Sequence, residues 1–163
     1  MTHATITRDT WIEPADRDRI AEVVAFIRSN DTATVLGGML PDLTEEDRET
    51  IRKHSRFVHA GLLVFPDKVA DVRQVAEECG LTVGAVTPSV VVRDRLCRRY
   101  AKPHRSLEVG IVRAPVGSDG RRQREIEIFA LALAPGAGLG EIAENERRHV
   151  HETHTAVRID NPD

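Results

Sequence analysis

Aromatic residues are scarce in this chain: one Trp, one Tyr and four Phe among 163 residues, 4% of the total. A cleft built from stacking rings, as drug-sequestering proteins often use, is disfavoured by that shortage. Cysteine is rarer still. Cys79 and Cys97 both fall in segments with helical patterning, so reduced thiols are expected and a disulfide framework is not. Positive charge is not in excess, since 23 Lys and Arg face 26 Asp and Glu for a formal net charge of −3. That balance argues against general nucleic-acid binding, which needs a basic surface. No apolar run approaches the length of a membrane span, and residues 1–10 lack the apolar core of a signal peptide. A cytoplasmic protein with no membrane association is expected. Low-complexity tracts and short-period repeats are also absent.

The residues that are present suit an ordinary folded domain. Hydrophobic residues make up 40% and charged residues 30%, and the length supports one domain with a sizeable core. Ile20, Val23, Val24 and Ile27 recur at helical spacing and predict a helix over Ala15–Ser29. Thr44 followed by Glu45, Glu46 and Asp47 is a helix-start signal for a second helix to His54. Gly37, Gly38 and Pro41 punctuate the link between them. Residues 1–54 therefore read as an N-terminal helical extension.

From Arg56 strands and helices alternate. The pattern predicts a strand over Phe57–Phe65, a helix over Lys68–Cys79 stopped by Gly80, and a short strand over Leu81–Val86. A helix is expected over Pro88–Tyr100, with a strand opening at the Val90–Val92 run as the alternative. An antiparallel pair, Ser106–Arg113 with Arg124–Leu133, is joined by a connection rich in turn residues (Pro115, Gly117, Ser118 to Gly120). A helix over Gly140–Arg148 and a strand over His151–Ile159 complete the chain.

Chemistry concentrates on three of these strands. A histidine opens His59-Ala-Gly-Leu-Leu-Val-Phe-Pro-Asp67, and another opens His154-Thr-Ala-Val-Arg-Ile-Asp-Asn-Pro-Asp163. Between them, Arg124–Leu133 carries Glu125 and Glu127 on the same predicted face. In each strand the purely aliphatic face is expected to pack on helices, which leaves the ligand-type residue on the other. Two imidazoles and a carboxylate, each on its own strand, suit a divalent metal.

Those segments resemble the vicinal oxygen chelate superfamily, which includes glyoxalase I, methylmalonyl-CoA epimerase, extradiol dioxygenases and fosfomycin- and bleomycin-resistance proteins. The resemblance rests on His59–Asp67, the helix Val69–Cys79, Gly80–Gly84, Ile126–Phe129, and His154–Asp163 as the opening strand of a second module. It implies an α+β fold: a βαβββ module over residues 55–163 with a curled mixed sheet. It implies metal ligation by His59, Glu127 and His154, with Zn, Fe, Mn, Ni or Co as the cation. It further implies an enzyme of lyase, isomerase or dioxygenase type acting on a small carbonyl or enol substrate. With a single strand of the second module, either another subunit completes the cup, giving the expected homodimer, or the chain is a fragment, or the metal site is incomplete. A metal-free small-molecule-binding protein or a helper subunit of the same fold are the alternatives.

Other signals read more plainly. The run Arg93, Arg95, Arg98, Arg99, Lys102 and Arg105 has the pattern of a solvated helix face. Within it Arg99, together with Arg158 on the last strand, is a candidate substrate-binding residue, since guanidinium groups hold oxyanions bidentately. His149, His151, Glu152 and His154 lack the His-Glu-x-x-His spacing of zinc proteases. Gly136, Gly138 and Gly140 lack the dinucleotide-binding pattern and read as a flexible connector.

Overall fold

Pro14 opens α1 (Pro14–Ser29), where its missing N–H removes no helical bond, and Ile20, Val24 and Ile27 form its buried stripe. Next comes α2 (Thr32–Met39), capped by Asp31, whose carboxylate accepts from the Thr34 amide at 2.8 Å. This helix corrects the reading of Gly37 and Gly38 as a link. The cap and the burial of Val35 and Leu36 outweigh the low helix propensity of two glycines. The third helix, α3 (Glu45–Lys53), starts at Thr44, whose hydroxyl accepts from the Asp47 amide at 3.2 Å, with acids at its start and Arg52 and Lys53 at its end.

These elements and those that follow belong to a computed structural model describing residues 12–119 and 122–160. The rest of the chain runs β1 (Ser55–Val64), α4 (Asp71–Glu78), β2 (Thr87–Pro88), α5 (Val90–Arg99), a 3-10 turn (His104–Ser106), β3 (Val109–Asp119), β4 (Arg122–Leu131), α6 (Gly140–His149) and β5 (His154–Ile159). The strands form one mixed, open sheet in the order β2-β3-β4-β1-β5. Parallel pairing joins β1 to β4, and the other neighbours are antiparallel. The fold is α+β.

Two expectations need correction. Leu81–Val86 is not a strand; only Thr87 and Pro88 pair with β3. The Leu81 amide closes the end of α4 by bonding the Ala76 carbonyl at 3.1 Å, with Gly80 at φ +78°, and Leu81 and Val83 bury their side chains without joining a ladder. Nor do Pro115 and Gly117 leave the sheet. β3 runs on to Asp119 with a register shift between those two residues, so proline sits at a ladder irregularity, where its missing N–H is tolerated. Gly120, the end of the expected turn, lies outside the described residues.

Strand alternation divides the core into two layers. Ala60, Leu62, Ile126 and Ile128 face α1, α2 and α4, packing with Ile20, Ile27, Val35 and Val72. On the opposite side Leu63, Ile111, Phe129 and Leu131 pack under Leu96 of α5 and Ile142 of α6. The N-terminal helices thus share a core with the sheet. Helices α5 and α6 pack on the second side, which also carries His59, Glu127 and His154, the last with its ring 6.0 Å from that of Phe129. Cys79 and Cys97 are free thiols. No helix among the described residues is long and apolar enough to cross a membrane.

Candidate metal centre

Gly61 lies at the middle of the site. Its register partners are Glu127 on β4 and His154 on β5, and His59 stands two residues before it on the same side of β1. The three ligand-type side chains therefore come from three adjacent strands with β1 at the centre. Their donor atoms all lie within 4.8 Å of one another. His59 Nε2 is 3.5 Å and His154 Nε2 3.6 Å from Glu127 Oε2. In tetrahedral coordination with bonds of about 2.1 Å, ligand atoms stand about 3.4 Å apart, so these two spacings fit a first-row cation. The imidazole rings meet edge to face, with centroids 5.3 Å apart.

Each donor is aimed by a neighbour. His154 Nδ1 lies 2.9 Å from the Glu152 carbonyl, to which its Nδ1–H donates, turning Nε2 toward the site. Arg113 Nε donates to Glu127 Oε1 at 2.7 Å, which leaves Oε2 toward the imidazoles. Cross-strand pairing of Arg113 with Glu127 between β3 and β4 builds this contact into the ladder. The absence of a side chain at Gly61 makes room for His154, because a Cβ there would collide with the imidazole ring.

The electrostatics follow the same geometry. The His154 imidazole, then Arg113 and His59, hold the Glu127 carboxyl down to about 2, so it is an anion across the neutral range. Glu127 in turn holds His154 above the ordinary histidine value. Burial pushes His59 below it, which favours the neutral, ligating form.

Beside these residues lies a cleft of about 400 Å³, lined by β2, the start of α5, Ile111, Arg113, Glu127, Phe129 and His154. The volume is that of a small-molecule site. Arg99 is not among its lining residues: its guanidinium bonds Glu146 at 2.6 Å and Glu152 at 2.9 Å, both carboxylates being buried. Arg158 is exposed near the far end of β5, in register with Arg56. His149 and His151 stack on each other with centroids 5.4 Å apart, and neither belongs to the His59 cluster.

Arg113 and Gly61 escaped the sequence reading. An opposite-charge pair at matching hairpin positions would have signalled Arg113 once the register was known, and a glycine inside an aliphatic strand signals close approach by another group. Comparison with family models, with curated proteins and with solved structures finds no match for this chain.

Proposed function

We propose that the protein is a metal-dependent enzyme of the vicinal-oxygen-chelate type, acting on a small oxygenated substrate. The carrying observation is the convergence of His59, Glu127 and His154 from three adjacent strands, with their donor atoms within 4.8 Å. Zn, Fe, Mn, Ni and Co all suit two imidazoles and one carboxylate. A bound cation would supply Lewis acidity toward a carbonyl or enol oxygen. The chain's own residues do the rest. Arg113 fixes Glu127, the Glu152 carbonyl orients the His154 ring, and Ile111 and Phe129 line the cleft where the substrate enters. The element order β1, α4, β2, β3, β4, with β1 returning beside β4, supports the βαβββ reading. In this reading a second copy adjoins the edge strand β5, giving a homodimer.

A metal-free binding protein is the second reading. It is favoured by the fact that Arg113 and His154 already neutralise Glu127 without a cation. Elemental analysis of untagged protein separates the two, before and after reconstitution, for wild type, His59→Ala and Glu127→Ala. About one equivalent of a first-row metal, lost in both variants, is expected. Wild-type protein that takes up no metal after reconstitution overturns the enzyme reading in favour of the second.

A further inference from the structure

We infer that the cleft beside the metal centre takes an anion with a compact apolar body, its charge held by Arg95 and Arg113 and its body resting on Val91, Ile111 and Phe129. The inference deepens the function proposed above by naming the substrate class of the same site, and it rests on the cleft rather than on the cation. Two guanidinium groups and a single carboxylate, Glu127, line the cleft. Among the described residues each guanidinium bonds a carboxylate through one nitrogen: Arg95 Nη1 reaches Glu152 at 3.3 Å, and Arg113 Nε reaches Glu127 at 2.7 Å. Their remaining N–H donors are available to a ligand, in the planar fork that suits a carboxylate or phosphate. Both side chains are about half exposed, at 53% and 55%, so they are positioned at the rim rather than locked in the interior.

The apolar half of the argument comes from α5. Val90 and Val91 are 51% and 61% exposed, although both are branched aliphatics in the first turn of a helix. They stand over the same cleft as Pro88, Ile111 and Phe129, so a ligand body would cover surface that now faces water. Arg95 and Val91 are one helical turn apart, which places the charge and the apolar contact along one face of α5. Arg99, by contrast, directs both terminal nitrogens to carboxylates, Nη1 to Glu146 and Nη2 to Glu152. It acts here as a positioning residue that keeps Glu152 in place beside Arg95.

The test is an amide-resolved NMR titration of the full chain with 4-methylpentanoate, its neutral analogue 4-methylpentanamide, 3-methylbutyl phosphate, and acetate. Wild type, Arg95→Gln and Val91→Ser are compared, with and without added Zn²⁺. Arg95→Gln leaves Glu152 paired with Arg99, and a preserved spectrum outside the cleft shows that each variant is folded. Expected are shifts at Val91, Ile111 and Phe129, with the acid or the phosphate ester bound about tenfold tighter than the amide and than acetate. The tighter of the two anions identifies the oxyanion. Each substitution should weaken that anion several-fold. Equal binding of acid and amide, shifts confined to other surfaces, no shifts at all, or wild-type affinity in both variants overturns the inference. Arg95-dependent anion binding by protein that takes up no metal leaves this inference standing and removes the metal reading. Metal uptake without anion binding in the cleft does the reverse.

Discussion

Glu127 shows how one residue can link site chemistry to stability. Its folded-state acidity lies at about 2, against 4.5 for an unperturbed glutamate, chiefly because His154 stands beside it. A carboxyl whose folded value is depressed contributes stability above its unfolded value and loses it as pH falls through the folded one. The shift corresponds to something on the order of 3 kcal/mol, shared with the residues that cause it. In the metal-free protein, urea unfolding of wild type and Glu127→Gln should differ most above pH 4.5, and the difference should shrink as pH falls toward about 2. A difference that stays constant across that window would show that the carboxylate charge is not what the pair stabilises. His154 has the opposite sign. Its folded value is raised, so its contribution is complete below 6.5 and lost as pH rises through the folded value.

At the scale of elements, the centre depends on how closely β1 and β5 approach. Gly61 is paired with His154 across the ladder and leaves the space that the imidazole fills. Gly61→Ala is expected to push the ring off the site. Overpacking of this kind costs about 1–3 kcal/mol, and the loss of a fixed ligand should weaken zinc binding at least about tenfold in a chelator competition. Unchanged zinc affinity with unchanged stability would mean that His154 does not sit over β1. The hairpin β3–β4 has a matching role, since its register places Arg113 against Glu127. His59, Glu125, Glu127 and Arg113 were all visible as residues on strands, and alternation placed the histidines and acids on the correct faces. Arg113 as the partner of Glu127 was not visible, because a register is fixed by pairing across the sheet rather than by either strand alone.

For the molecule as a whole, the first helix is tied in by more than apolar packing. Asp16 on α1 is fully buried, accepts from Arg147 on α6 at 2.8 and 3.2 Å, and accepts from the Phe65 amide just after β1 at 3.3 Å. The Arg147 guanidinium also lies over the Phe65 ring, 4.8 Å from its centroid. Elements on both sides of the sheet therefore meet at one ion pair. Asp16→Ala leaves Arg147 without its buried partner and should lower unfolding stability by about 3 kcal/mol, measured by urea denaturation at neutral pH. A loss below about 0.5 kcal/mol would place Arg147 in the class of surface pairs instead.

Local pattern by itself determined most of the elements. The cap at Thr44, the apolar stripe of α1 and the alternation along β1, β4 and β5 act over a few residues, so they can be read in order along the chain. The tertiary structure alone decided that α2 forms through Gly37 and Gly38, that Leu81–Val86 buries without pairing, and that Arg99 serves Glu146 and Glu152. It also decided that β1 lies between β4 and β5, which brings His59, Glu127 and His154 together across 95 positions of sequence. The physical reason is common to these cases. Burial, ion pairing and strand neighbours depend on which distant segment arrives, and no short stretch of sequence carries that information.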